Sequence, residues 1–234
     1  MFLLAAITWP TAPDRIPVHW NVYGQVDRYG GKVEGLLMLP LLTLGLYFLL
    51  LFMPRIDPGQ ANYQRFAGAY SIIRIATTAL LAVIYGVTNL SIRGYRIDMS
   101  IVVSLAVGAL LIVIGNLMGK IRPNWFVGIR TPWTISSKAS WTKTHRLGGR
   151  LFIVMGLAFI AAGIARSPWT FIAAAAIAIG SVIWMLVYSY LVWRDDPDKL
   201  PPRRYPAGVE HRSDRPRGRA GPCGRVYIGS IAAP

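Results

Sequence analysis

Only one cysteine, Cys223, occurs in this chain, and it lies near the carboxyl end. No internal disulfide can form, and no thiolate metal site is available. Acid is scarce as well: 10 Asp and Glu stand against 25 Lys and Arg, and none of the acids falls between Met99 and Arg194. Within that stretch no carboxylate can orient a histidine as a general base, and no membrane-buried carboxylate offers a proton relay. The three histidines, His19, His145 and His211, lie far apart in sequence, and a bilayer-spanning fold keeps them apart in space, which argues against a metal site. No cofactor and no catalytic residue is expected. Charged residues make up 15% of the chain against 54% hydrophobic ones, too few for an ordinary soluble surface.

What the sequence has in abundance is long apolar runs: Gly35 to Met53, Ile72 to Ile92, Met99 to Met118, Leu151 to Ala165 and Trp169 to Trp193. A helix needs roughly 20 apolar residues to cross a bilayer core, at about 1.5 Å per residue. Four runs are long enough alone. The run from Leu151 reaches that length if Leu147, Gly148 and Gly149 extend it and Arg150 snorkels to the headgroups. Helices buried in a large soluble protein would still show a polar stripe, yet Ser100 to Met118 and Pro168 to Trp193 are apolar on every side. The expected fold is therefore all-α: a polytopic helical membrane protein, embedded in a lipid bilayer.

Net charge of +15 raises the question of nucleic acid, but the cations flank spans rather than forming a folded basic domain. Between Lys120 and Arg150 there are seven Lys or Arg and no acid; from Arg194 onward there are nine against five acids. That is the positive-inside pattern, so no direct nucleic-acid partner is expected. Placing Lys120 to Arg150 in the cytoplasm puts Pro54 to Tyr70 and the tail there too, with the C-terminus inside. Thr11 to Glu34, Arg93 to Asp98 and the turn at Arg166, Ser167 and Pro168 then lie outside. Asp98 and Arg74 sit near span ends, where each can reach water. Met1 to Trp9 is apolar but half the length of a span, and it reads as the remnant of a helix whose natural start lies upstream. On that reading six spans are reduced to five and a stub. Five segments follow: 1–34, a truncated helix and outer loop; 35–118, spans; 119–150, a cytoplasmic loop; 151–194, the last two spans; and 195–234, a tail rich in Pro, Arg and Gly, expected to be disordered.

Two polar stretches carry the chemistry. The outer one holds Pro17, His19, Trp20 and Asn21, then Gly24, Asp27 and Lys32. Prolines stiffen it and glycines permit tight turns, so a small ordered loop follows, either anchoring two helices or recognising a ligand. The inner one runs from Gly115 and Asn116 through Gly119, Arg122, Asn124, Gly128, Arg130, Thr131, Pro132 and Trp133 to Trp141, Thr144, His145 and Arg146. Gly115 and Gly119 form a small-xxx-small pair that admits a neighbouring helix, with Asn116 facing the bundle. Ser136 or Ser137 opens a short interfacial helix carrying Trp141 and His145 on one face. Trp125, Trp133 and Trp141 lie in the interface, with Arg122, Arg130 and Arg146 reaching lipid phosphate or helix ends.

On these two motifs the chain resembles the SdpI family, named for a bacterial immunity protein against a secreted membrane-active peptide toxin. Ile16-Pro17-Val18-His19-Trp20-Asn21 with Gly24, Asp27, Gly31 and Lys32 is similar to the small domain of unknown function that precedes the family core. Gly115-Asn116 through Thr144-His145-Arg146 is similar to the family signature. The resemblance implies about six spans in the bacterial cytoplasmic membrane. It also implies a binding protein, not an enzyme, that meets a peptide toxin on the outer face and captures a cytoplasmic repressor on the inner face.

The leading expectation is accordingly an outer cavity near Trp20 to Lys32 for a hydrophobic peptide or lipid-like molecule, with Asn116 to Arg146 transmitting or docking. One alternative is a transporter of a small amphipathic solute that uses Thr88, Asn89 and Asn116 as polar groups in its spans. Another is an enzyme acting on lipid phosphate through Arg122, Arg130 and His145.

Overall fold

The computed structural model describes residues 1–21 and 23–199. Expectations for the tail from Leu200 onward, with His211 and Cys223, lie outside the described residues. A short helix α1 (Phe2–Thr8) precedes strands β1 (Ile16–Trp20) and β2 (Val26–Gly30). A π-helical segment, Val33–Met38, leads into α2 (Leu39–Ile56). There follow α3 (Gln60–Tyr63), a 3-10 turn (Gln64–Phe66), α4 (Ala67–Ile92), α5 (Met99–Met118), α6 (Pro132–Ser136), α7 (Lys138–Ala165) and α8 (Pro168–Arg194). Among the described residues five helices are long and apolar enough to cross a membrane: Val33–Ile56, Gln60–Ile92, Met99–Met118, Lys138–Ala165 and Pro168–Arg194. The expected polytopic helical architecture is borne out, with one small antiparallel hairpin added.

Local chemistry sets the helix limits. The Asp98 carboxylate accepts the Ser100 and Ile101 amides at 3.0 and 3.3 Å and starts α5. Thr131 and Thr134 cap α6 reciprocally, each amide donating to the other's hydroxyl. Ser137 accepts the Ser140 amide at 2.9 Å and starts α7. Three hydroxyls of α4 return to their own helix: Thr77, Thr78 and Thr88 donate to carbonyls four residues back at 2.8 to 2.9 Å. These three then need no water in the hydrocarbon region.

Packing runs from α2 to α4 to α5 to α7 to α8. The tightest seam joins α5 to α7, antiparallel, where Ser104 meets Gly163, Gly108 meets Gly156 and Gly115 meets Gly149. The glycines on each helix are seven residues apart, so the seam follows the heptad spacing of a left-handed crossing. Absent side chains allow backbone-to-backbone contact, the source of van der Waals stabilisation where lipid is as apolar as protein. This corrects two expectations. Gly119 has nothing against it, so the partner of Gly115 along the helix is Gly108. Asn116, next to the seam residue and about 100° round the helix, is exposed rather than facing the bundle, and its amide bonds the Ile112 carbonyl at 2.9 Å.

A third correction concerns the helix opened by Ser137. It does not stop at the interface but continues without a break into the fourth span. Gly148 and Gly149 do not interrupt it, because both are contact points: Gly148 lies against Ile129, and Gly149 against Gly115.

Two buried clusters mark the ends. At the hairpin end Ala5, Ala12, Ile16, Leu36 and Tyr85 pack together, and the Tyr85 hydroxyl donates to the Leu36 carbonyl at 3.0 Å. At the opposite end, called the signature end below, Tyr63, Phe66, Tyr70, Leu117, Met118, Ile121 and Trp141 do the same.

Candidate functional site

The hairpin is built by its turn. Asn21 accepts the amides of Tyr23 and Gln25 through its side-chain oxygen at 2.9 and 3.0 Å, and Gly24 takes a φ of 73° that disfavours other residues. Pairing Ile16 with Gly30 and Pro17 with Tyr29 keeps Pro17 in a two-stranded sheet, where its missing N–H costs no second ladder. Irregular register between Pro17 and Trp20 aligns His19 with Arg28 and Trp20 with Val26. His19 Nδ1 lies 2.6 Å from the Asp27 carboxylate, both side chains exposed. Lys32 is 3.7 Å from Asp14, and Arg28 is 2.7 Å from Glu34. Asp14, Asp27 and Glu34 therefore each lie against a basic side chain on the loop's surface.

Beneath the hairpin lies a cavity of about 380 Å³, within the size range of small-ligand sites. His19, Trp20 and Asn21 form its roof. Ile84 of α4, Met99, Val103 and Ser104 of α5, and Phe171 of α8 form its walls. Three of the expected outer residues thus converge on one space, while Gly24, Asp27 and Lys32 do not line it. Pro17 lines a neighbouring cavity of about 210 Å³, from which Val18, Trp20 and Ile84 also face the first. Ser104 is at once a wall of the cavity and the first contact of the α5 to α7 seam.

At the signature end a loop is organised by two residues. Asn124 donates to the carbonyls of Arg122 and Val127 at 2.8 and 2.9 Å and accepts the amides of Phe126 and Val127 at 2.9 and 2.6 Å. Asp57, 2% exposed, accepts the Tyr63 hydroxyl at 2.8 Å, the Gly59 amide at 2.6 Å and the Trp125 amide at 3.1 Å. The lack of acid between Met99 and Arg194 made this region look free of carboxylates; Asp57 reaches it from the turn after α2. Its one sequence sign is the Asp57-Pro58-Gly59 run, a turn signal that says nothing about distant partners. Asn62 adds a bond to the Pro123 carbonyl at 2.8 Å.

His145 and Trp141 stack, ring centroids 4.1 Å apart, one turn along α7. His145 Nδ1 donates to the Trp141 carbonyl at 2.8 Å, and Nε2 accepts the Ile129 amide at 3.1 Å. Both ring nitrogens are occupied and the residue is 1% exposed, so no nitrogen remains to take a substrate proton. Gly128, with φ 108°, lies directly against that ring. Trp141 is 3% exposed and donates to the Ile121 carbonyl at 3.0 Å, so it is a core residue and not an interfacial one. Trp125 is exposed, and Trp133 packs edge-on against Tyr190. Arg130 donates to the Trp125 carbonyl. Thr131 and Ser140 both bond Ser189 of α8, through its hydroxyl at 3.1 Å and its carbonyl at 2.8 Å. Thr144 is fully buried, with its hydroxyl unpartnered. Pro132 and Arg146 are exposed.

The polar groups of the transport alternative do not gather. Thr88 bonds Ile84, Asn89 bonds Tyr85 at 2.9 Å and Asn116 bonds Ile112, each within its own helix.

Comparison with known proteins agrees with the motif resemblance. Residues 120–189 match the SdpI/YfhL protein family, and residues 1–44 match a domain of unknown function, DUF1648. The immunity protein SdpI of Bacillus subtilis (strain 168) is 27% identical over 158 residues, covering 66% of this chain and 72% of that protein. No solved structure matches.

Proposed function

We propose that this chain, a multi-pass membrane protein carrying an SdpI-family segment, gives its cell immunity to a membrane-active peptide by binding it at the hairpin end. In this reading the hairpin faces outward, and the signature end and C-terminus face the cytoplasm, as the excess of cations from Lys120 to Arg150 favours. The observation that carries it is the cavity roofed by His19, Trp20 and Asn21. An amphipathic peptide lying in the outer leaflet would place an apolar side chain among Ile84, Met99, Val103 and Phe171, with its polar backbone against His19 and Asn21. Ser104 would pass the change to the α5 to α7 seam, which ends at Gly115 and Gly149 beside Trp141, His145 and the Asn124 loop. A cytoplasmic repressor would dock there, on the exposed residues Trp125, Arg130 and Arg146. No catalytic step is involved.

The test is protection. Cells with the gene deleted should become sensitive to a membrane-active peptide toxin, and the intact gene should restore resistance. Trp20→Ala should restore it at least tenfold less well while reaching the membrane in normal amount. Sensitivity that does not change on deletion would end the proposal.

A further inference from the structure

A second cavity, of about 460 Å³, lies at the signature end and is not used by the proposed peptide site. Arg65 from the 3-10 turn, Arg122 from the loop after α5, and Lys138 at the first position of α7 line it. All three side chains are exposed, and none has an ion-pair partner among the described residues. No Asp or Glu lines the cavity. Three convergent cations repel one another until negative charge enters, so the arrangement favours an anionic guest.

The neutral groups around the cavity narrow the chemistry. One N–H of the Asn62 amide goes to the Pro123 carbonyl, the Thr142 hydroxyl to the Lys138 carbonyl at 2.9 Å, and the Trp141 ring nitrogen to Ile121. Both nitrogens of His145 are engaged as well. The uncommitted side-chain donors are therefore two guanidinium groups, one ammonium and the second N–H of Asn62, and the three charged ones suit a phosphate better than a sugar or an amide. The cavity also opens along the first two turns of α7, the positive end of a 28-residue helix. Its floor is tied to three separate segments by the Asn62 and Trp141 bonds, so the cations are carried on a rigid frame.

We infer that this cavity binds a phosphate ester, supplied by an anionic phospholipid headgroup or by a soluble phosphate compound. The inference stands independently of toxin immunity.

Native mass spectrometry of the full chain in neutral detergent, titrated with phosphatidylglycerol or phosphatidylcholine, tests it. Phosphatidylglycerol should bind at least tenfold more tightly. Arg65→Gln, Arg122→Gln and Lys138→Gln should each weaken it about fivefold, as expected for one cation near an anionic headgroup. Lys120→Gln removes a charge from the same end but not from the cavity, and should leave binding unchanged. Among the described residues none of the three side chains makes a hydrogen bond, so the variants should remain monodisperse; circular dichroism checks this. Millimolar inorganic phosphate that displaces the lipid would support the site and assign it to soluble phosphate. Preference retained in the presence of phosphate would support it and assign it to the headgroup. Equal weakening by Lys120→Gln, or no preference between the two lipids in a chain that also binds no inorganic phosphate, would overturn the inference.

Discussion

Gly115 of α5 and Gly149 of α7 touch through their backbones: a methyl group on either would stand 2.7 Å from the other's carbonyl oxygen. The same holds at 2.6 Å for Gly108 and Gly156, one heptad away. These contacts hold together α5, which lines the cavity under the hairpin, and α7, which runs to the signature end.

Substituting Ala at Gly115 or Gly149 should force α5 and α7 apart. Overpacking of this kind costs about 1–3 kcal/mol. Thermal unfolding in detergent should show a lowered Tm for each variant. Gly119→Ala, with open space around it, should unfold like the parent; equal losses in all three would show that the seam is not the cause.

Gly128→Ala should disturb the signature loop for two reasons that act together. A side chain at φ 108° is strained, and the added carbon would meet the His145 ring. Backbone strain alone is of order 1–3 kcal/mol. His145→Ala should cost a similar about 1–3 kcal/mol, because the Ile129 amide loses its acceptor. Both effects should appear as lowered stability; a variant with full stability would contradict the structural role given to this histidine.

Asp57→Ala should release the loop from the turn after α2. Three donors lose a carboxylate acceptor, a loss of about 3 kcal/mol or more, since hydrogen bonds to charged groups are each worth roughly 1.5–3 kcal/mol. Limited trypsin digestion reports it: cleavage after Arg130 should become faster by at least tenfold. Unaltered cleavage would show that Asn124 and the Asn62 bond to Pro123 suffice without it.

The Ser137 hydroxyl donates to the Asp196 carboxylate, and this bond, ahead of the opposing effect of desolvation, holds that carboxyl below its ordinary value of 3.8. A depressed folded pKa stabilises the fold in full above the ordinary value, and the contribution fades as pH falls through the depressed one. Stability measured below pH 4 should therefore decline more steeply in the parent than in Ser137→Ala. Parallel acid limbs would remove Asp196 from the account.

Spans, their number and the two polar stretches were legible in the sequence because hydrophobicity is a local property, counted along the chain. The helix start at Ser136 or Ser137 was legible for the same reason, since a cap acts on amides two or three residues away, whereas Asp98 was placed at a span end without being read as a cap. The hairpin was not, since Pro17 and Gly24 signal turns without saying which strands pair. The roles within the site were less legible still. His19, Trp20 and Asn21 could be named as a group, but not separated from Gly24, Asp27 and Lys32, which shape the loop without facing the cavity. His145 drew attention as a chemical group and proved to be a buried link between α7 and Ile129.

Composition and the length of the apolar runs alone determined that this chain lives in a bilayer as several helices, because a helix satisfies its own backbone groups and a barrel strand would be shorter and alternate in polarity. Only the tertiary structure decided which faces of those helices meet. It chose Gly108 over Gly119 as the partner of Gly115, turned Asn116 outward, and carried Asp57 to Trp125. Such choices depend on the close fit of surfaces distant in sequence, and a linear pattern does not contain that fit.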